Sequence, residues 1–292
     1  MDQDILITGC STGFGFDAAK YLAAKGHRVY ATMRHVAGRN QSAAEVLRSF
    51  AESEGLSLTV LEMDVTSDDS VNAAVSEIPN VDVVINNAGV GFGGPVESFT
   101  SEQILGQLDV NIVGTIRVAR AVLPGMRARK SGLIIQVSST AGRAAFPGFG
   151  VYHASKWGLE GISEAMRYEL GPLGIDVVIV EPGPFSTNFF ENLVGGADEA
   201  LAAAYEHVAA FGEGFRNMVM GMFEDGDAPT DPMIVVETFD TLIETPVGQR
   251  PFRTIAGLDF GLQAVNDAVE PIRKQVLAMM EITDWDGPSA AN

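Results

Sequence analysis

Short apolar segments rich in β-branched residues alternate with longer helical patterns along most of this chain. The strand candidates cover residues 5–8, 28–33, 57–63, 81–86, 133–138, 175–181 and 252–255, and most of them are apolar on both faces. Such strands are typical of parallel sheets that are covered by helices on each side. Helical patterns lie between them, near residues 14–25, 40–53, 68–77, 102–128, 152–170 and 231–244. This order predicts an α/β fold, a doubly wound parallel sheet of about seven strands with helices on both faces.

We expect a single Rossmann-type domain over residues 1–292, because the alternation has no low-complexity break. Right-handed crossovers place the carboxyl ends of the strands at one edge, where ligands bind. Residues 188–230 depart from the alternation and are rich in Phe, Met, Ala and Gly. They predict either a lid over a ligand or an extra helical pair packed on the core. Residues 258–292 form a C-terminal extension, with a helical stretch near 259–281 and a frayed tail from 289 onward.

Composition excludes several classes of function. The net charge is −19, which opposes binding to nucleic acid or to an anionic membrane. The single cysteine, Cys10, cannot form an intrachain disulfide, and no Cys or His cluster has metal-ligand spacing. The first apolar run begins at Ile5, and no run of about 18 apolar residues occurs. We therefore expect a soluble cytoplasmic protein without a secretory signal, a transmembrane helix or a metal.

A glycine-rich turn follows the first strand directly and opens the first helix. It reads Thr-Gly-Cys-Ser-Thr-Gly-Phe-Gly over residues 8–15. Glycines allow unusual dihedrals and a close approach of the backbone to a pyrophosphate, and the helix N-terminus offers free N–H groups. At this position in an α/β alternation, the turn predicts a dinucleotide cradle.

Tyr152 and Lys156 lie four residues apart, on one face of a predicted helix. An ammonium beside a phenol favours the phenolate, so we expect the pKa of Tyr152 to fall toward neutrality. A tyrosine of this kind can pass a proton to or from a substrate oxygen. His153 points to another helix face and is poorly placed to act as the base.

These motifs together resemble the short-chain dehydrogenase/reductase family, over about residues 4–187. The Gly-x-x-x-Gly-x-Gly spacing is the family's form, and the other matching features follow in the family's order. They are Asp64-Val65, Asn86-Asn87-Ala88-Gly89, Asn111, Ser138-Ser139, Tyr152-xxx-Lys156, and Pro182-Gly183 with Thr187. The C-terminal part, including Arg250-Pro251-Phe252-Arg253, is more loosely similar to the subgroup of hydroxysteroid and retinol dehydrogenases.

The resemblance implies an NAD(P)(H)-dependent oxidoreductase that interconverts a secondary alcohol and a ketone or aldehyde, with a hydrophobic substrate. It assigns the acid/base role to Tyr152, substrate orientation to Ser139, tuning and ribose binding to Lys156, and a proton relay to Asn111. The implied cofactor-binding residues are Gly9, Ser11, Thr12, Gly13, Phe14, Gly15, Arg34, Asp64, Val65, Asn87, Ala88, Gly89, Tyr152, Lys156, Pro182, Gly183 and Thr187.

Some of these positions have structural alternatives. Ser138 is a local rival of Ser139, although Ser139 has the family's thirteen-residue spacing to Tyr152. Asp64 is a candidate for the adenine amino group, or for an N-terminal helix cap. Asn111 is alternatively a buried polar residue that satisfies helix backbone.

The end of the second strand favours NADP(H), with NAD(H) as the alternative. An NAD site usually has Asp or Glu there for the ribose 2′-hydroxyl. Here Met33 and Arg34 stand instead, and Arg34 can pair with a 2′-phosphate or remain a solvent-facing charge.

Two other classes of function remain as alternatives. One is a related lyase or epimerase, but Thr12 in the glycine-rich turn disfavours it. The other is a non-catalytic, cofactor-sensing regulator, but the presence of the full Asn, Ser, Tyr and Lys set disfavours it. The resemblance also implies a homodimer or homotetramer, formed through helices corresponding to 102–128 and 152–170.

Overall fold

A computed structural model describes residues 2–225 and 228–289. Within these ranges seven strands form one parallel sheet, in the order β3-β2-β1-β4-β5-β6-β7. The predicted doubly wound sheet is therefore confirmed. The strands are β1 Asp4–Thr8, β2 Arg28–Met33, β3 Leu58–Glu62, β4 Val83–Asn86, β5 Gly132–Val137, β6 Ile175–Pro182 and β7 Arg253–Ala256.

The helices flank the sheet on both faces. They are α1 Gly13–Ala24, α2 Gln41–Glu54, α3 Asp68–Ser76, α4 Ser101–Leu108, α5 Gly114–Arg129, α6 Gly150–Leu170, α7 Glu199–Ala203, α8 Glu206–Asp225, α9 Met233–Glu244 and α10 Gln263–Met279. One apolar core lies between the sheet and α1, α2 and α9, and a second lies between the sheet and α3, α5 and α6. Both cores use the same strands, which explains why these strands are apolar on both faces. In the described part of the chain, no helix combines the length and apolarity needed to cross a membrane.

The helix predicted over 102–128 contains a π-helical turn that its pattern did not predict. Asp109–Val113 forms this turn between α4 and α5. Within it, the Asn111 side chain is buried and hydrogen-bonded to the loop that follows β4. Turns of this kind are frequent at functional sites, because they redirect single side chains.

The two departures from the alternation are mainly helical. The segment 188–230 contains α7 and α8, and its residues 226–227 lie outside the described ranges. The helix predicted near 259–281 begins only at Gln263, because Asp259 accepts hydrogen bonds from the Gly261 and Gln263 amides and closes a turn before it. Of the tail predicted to fray, residues 290–292 lie outside the described ranges.

Candidate active site

The glycine-rich turn after β1 is shaped by contact with the loop after β4. Gly9 and Gly13 adopt φ angles of 74° and 59°, in the region that favours glycine. A Cβ on Gly9 would lie 2.8 Å from the Cα of Ala88. The Asn87 side chain donates hydrogen bonds to the carbonyls of Thr8 and Gly9, at 2.9 and 3.1 Å. The turn is therefore held open toward the carboxyl edge of the sheet, with the N-terminus of α1 behind it.

A cleft of about 1040 Å³ runs along this edge. It is lined by most of the residues predicted to bind a cofactor. They are Gly9, Ser11, Thr12, Gly13, Phe14, Arg34, Asp64, Val65, Asn87, Ala88, Gly89, Tyr152, Lys156, Pro182, Gly183 and Thr187.

Gly15 is the one predicted cofactor-binding residue that does not line the cleft. A Cβ there would lie 2.5 Å from Nδ2 of Asn87 and 2.6 Å from the carbonyl oxygen of Gly9. Its small size is thus needed for packing within the protein.

Tyr152, Ser139 and Lys156 meet in the middle of the cleft. The Ser139 hydroxyl accepts from the Ala141 amide at 3.1 Å and donates to the Pro182 carbonyl at 3.3 Å. It also lies near enough to the Tyr152 phenol to lower the pKa of that group. Ser138, in contrast, is buried, and its hydroxyl has no hydrogen-bond partner among the described residues. The geometry therefore favours Ser139 over Ser138 as the substrate-orienting serine.

The expected fall in the phenol pKa is wrong for this structure. Burial raises the pKa of Tyr152 to about 12, against the smaller effect of Ser139. Lys156 does not offset this, because its Nζ atom is 5.7 Å from the centre of the Tyr152 ring and donates to the carbonyl of Val137 at 2.8 Å. Burial also lowers the pKa of Lys156 to about 8, with Glu160 acting in the opposite direction. The pair is thus a neutral phenol beside a weakly held ammonium proton.

Asn111 lies behind this pair and does not line the cleft. Its Oδ1 accepts from the Val90 amide at 2.9 Å, and its Nδ2 donates to the Val90 carbonyl and the Ser155 hydroxyl, both at 2.9 Å. Asn111 is therefore a buried polar residue that satisfies backbone groups, which was the alternative to a proton relay. The backbone groups belong to the loop after β4, however, and not to the helix that carries Asn111.

At the end of β2, two arginines face the cleft. Arg34 and Arg39 both line it, and no carboxylate in the described ranges lies within ion-pair distance of either guanidinium. Arg34 was predicted from the sequence, whereas Arg39, which reaches the same edge from the loop before α2, was not. The two guanidinium groups can bind an anionic group here, in addition to a pyrophosphate at the glycine-rich turn.

Asp64 is engaged in a local turn. Its Oδ1 accepts from the Thr66 amide and hydroxyl, at 2.9 and 2.7 Å. Partial burial acts against ionisation, but the Thr66 bonds and nearby basic groups bring the pKa of Asp64 below its usual value. The helix cap proposed as its alternative role belongs instead to Ser67, whose hydroxyl accepts from the Ser70 amide.

The other end of the cleft is aromatic. Residues from the β5–α6 loop, the 188–230 segment and the start of the C-terminal extension contribute Phe146, Phe149, Phe189, Phe190, Phe211, Phe215, Met218 and Phe260. The rings contact each other, as between Phe146 and Phe215, whose centroids are 5.2 Å apart. The aromatic residues of 188–230 stand out in the sequence, whereas Phe146, Phe149 and Phe260 lie in segments whose pattern gives no sign of this role.

The fold and this cleft define a class of protein. Residues 3–197 match the family model described as short chain dehydrogenase, and the chain belongs to that family of oxidoreductases, which act on CH–OH groups.

Particular relatives cover much of the chain. It is 35% identical to human 17-beta-hydroxysteroid dehydrogenase type 1 over 83% of this chain and 74% of that protein. It is 40% identical to human retinol dehydrogenase 8 over 64% of this chain and 60% of that protein. Among solved structures, a short-chain dehydrogenase from Streptomyces avermitilis superposes with a TM-score of 0.75, at 28% identity, covering 96% of this chain and 97% of that one.

Proposed function

We propose that this protein is an NADP(H)-dependent oxidoreductase that interconverts a bulky apolar ketone and its secondary alcohol. The observation that carries the proposal is a single cleft with three successive parts. A glycine-rich cradle lies at one end, Tyr152 and Ser139 lie in the middle, and aromatic side chains lie at the other end.

The residues of the cradle fit a nicotinamide dinucleotide. Gly13 leaves open space beside the N-terminus of α1, where a Cβ would meet only Thr187 at 3.8 Å. Backbone N–H groups at such a helix end bind phosphate. The preference for NADP(H) over NAD(H) rests on Arg34 and Arg39, because guanidinium groups attract a 2′-phosphate and the end of β2 offers no carboxylate to a free ribose hydroxyl.

The proton chemistry falls to this chain's own side chains. When bound, the nicotinamide supplies or accepts the hydride. Tyr152 donates a proton to the substrate oxygen in reduction and accepts it in oxidation. Ser139 donates a hydrogen bond to the same oxygen in place of its present bond to Pro182. Lys156 supplies positive charge near the phenol, and Asn111 fixes the Val90 loop beside them.

The aromatic end supports a bulky apolar substrate. Two relatives are named for steroid and retinol substrates, and both kinds of molecule are large and apolar. We therefore place the substrate of this chain in the same broad class.

We also propose a cytoplasmic homodimer or homotetramer without a nucleic-acid or membrane partner. The net charge of −19 opposes anionic partners. Leu105 and Trp157, on helices α4 and α6, are 64% and 53% exposed and offer an apolar surface to a second copy. Light scattering after gel filtration tests the oligomeric state.

The proposed reaction is tested with a panel of ketones of increasing apolar size. We expect NADPH oxidation only with a ketone present, with one alcohol formed per NADPH consumed, and with higher kcat/KM for larger apolar ketones. A lyase or epimerase would convert substrate without net cofactor consumption. A cofactor-sensing regulator would bind NADPH and oxidise none, and either outcome would reject the proposal.

A further inference from the structure

The loop between β5 and α6 carries two parts of the cleft. Ser139 lies at its start, and Phe146 and Phe149 lie near its end. A short 3₁₀ turn covers Thr140–Gly142, but residues 144–146 have no regular hydrogen bonding. A contact with a residue outside the loop must therefore fix the position of Phe146 and Phe149 relative to Ser139.

The imidazole of His153 connects both parts of this loop to α6. Its Nδ1 lies 2.8 Å from the carbonyl oxygen of Ala141, and its Nε2 lies 3.1 Å from the amide nitrogen of Phe146. A carbonyl only accepts and an amide N–H only donates, so these partners require a proton on Nδ1 and none on Nε2. His153 is 3% exposed, and burial lowers its pKa, which maintains this neutral form.

His153 also supports the ring of Phe146. The two rings meet edge to face, with centroids 4.5 Å apart and an interplanar angle of 84°. Phe146 also contacts Phe215 of α8 at the aromatic end of the cleft, with ring centroids 5.2 Å apart. His153 itself does not line the cleft, so any effect on substrate acts through the loop.

We propose that His153 is a positioning residue that fixes the aromatic wall of the substrate cleft through Phe146 and the serine turn through Ala141. The proposal deepens the function given above and rests on it for its kinetic test. The two bonds have separable consequences. The Nε2 bond sets the position of Phe146 and hence the KM for bulky substrates, whereas the Nδ1 bond supports the turn in which Ala141 donates to the Ser139 hydroxyl, and hence kcat.

Two substitutions separate these bonds. An asparagine amide reaches the position of Nδ1, so His153→Asn keeps a donor for the Ala141 carbonyl and loses the acceptor for Phe146. A glutamine amide reaches one bond further, so His153→Gln keeps an acceptor for Phe146 and loses the donor for Ala141. In each variant one main-chain group loses its partner, the half-buried Phe146 amide in His153→Asn and the buried Ala141 carbonyl in His153→Gln. We expect each loss to change the affected equilibrium about fivefold or more.

The kinetic experiment uses NADPH and the best bulky ketone of the panel. We expect His153→Asn to raise KM about fivefold or more with kcat within about twofold, and His153→Gln to lower kcat about fivefold or more with KM within about twofold. The Kd for NADPH, measured by fluorescence, should stay unchanged in both. Equal effects of the two variants on KM and kcat, or no effect of either, would overturn the proposal.

Amide hydrogen exchange provides a readout that does not depend on activity. We expect the Phe146 amide to exchange about tenfold faster in His153→Asn than in wild type, and at the wild-type rate in His153→Gln. Equal exchange at Phe146 in wild type and both variants would overturn the proposal. If His153→Asn does not fold, the kcat of His153→Gln decides. A fall of about fivefold or more with wild-type exchange at Phe146 supports the proposal, and an unchanged kcat or faster exchange overturns it. If the wild type reduces no ketone, the proposed function fails while the exchange result still decides the role of His153.

Discussion

The buried ammonium of Lys156 donates a hydrogen bond to the main-chain carbonyl of Val137, 2.8 Å away. Its pKa is lowered by burial to about 8, from 10.5, because one carbonyl dipole and the nearby Glu160 do not replace the water that the ammonium has lost. The folded protein therefore holds this proton less tightly than the unfolded chain does.

This relationship predicts a pH-dependent stability. Between pH 8 and 10.5 the unfolded chain binds a proton at Lys156 that the folded protein does not, so the wild type gains stability as pH rises. Lys156→Met lacks this gain. The unfolding free energy of the wild type minus that of Lys156→Met should therefore increase by roughly 1–3 kcal/mol from pH 8 to pH 10.5. Urea denaturation at both ends of the range measures it. Lys274→Met, at a side chain that is 63% exposed, is the control and should keep the wild-type pH slope. The same slope in Lys156→Met would contradict the account.

The two serines after β5 should differ sharply in their effect on activity. Removing the Ser139 hydroxyl takes away a donor for the substrate oxygen, so Ser139→Ala should lower kcat/KM about 10- to 100-fold. The hydroxyl of Ser138 has no hydrogen-bond partner in residues 2–225 and 228–289, so Ser138→Ala should change kcat/KM less than about threefold and cost little stability. Steady-state kinetics with one ketone compares the two, and a larger loss in Ser138→Ala would reverse the assignment.

Much of this site could be predicted from short sequence motifs, because each places its residues at a strand end. The glycine-rich turn, Tyr152 and Ser139 all lie where the alternation predicts. Phe146 and Phe260 could not be predicted, since they meet only through the path of the loops. The direction of the Tyr152 pKa was also beyond the sequence, because it depends on burial around the phenol, which spacing along a helix does not give.

Cofactor choice should depend on both arginines that face the cleft. Each charge-assisted contact with a 2′-phosphate contributes about 10- to 100-fold in affinity, so Arg34→Asp should weaken NADPH binding at least that much and Arg39→Ala somewhat less. NADH binding should change much less in either variant. Fluorescence titration gives the Kd values of the wild type and both variants for NADPH and for NADH. A wild type that binds NADH as tightly as NADPH would contradict the assignment.

A second buried group gives the opposite dependence on pH. Burial and the charge of Glu160 raise the pKa of Glu181, and Asn266, Arg143 and Arg253 only partly compensate. Since the folded protein then binds this proton more tightly than the unfolded chain, the contribution to stability is lost as pH rises through the raised pKa. Glu181→Gln keeps the shape without the charge.

The stability of Glu181→Gln relative to the wild type should therefore increase between pH 5 and pH 8, by roughly 1–3 kcal/mol. Thermal unfolding at the two pH values measures this difference. Glu224→Gln, at an exposed carboxylate on α8, should leave the wild-type pH dependence unchanged. A difference in stability between Glu181→Gln and wild type that is the same at both pH values would show that Glu181 is ionised throughout this range.

The role of Tyr152 is tested most directly by comparing Tyr152→Phe with the wild type in NADPH-dependent reduction of a bulky apolar ketone. The substitution removes the phenol proton and keeps the ring in the cleft. We predict that kcat falls at least about 100-fold while the Kd for NADPH changes less than about threefold. Tyr21→Phe, at a phenol that donates a 3.4 Å hydrogen bond to Asp240 away from the cleft, is the matched control and should retain wild-type kcat. Turnover in Tyr152→Phe close to that of the wild type would contradict the account.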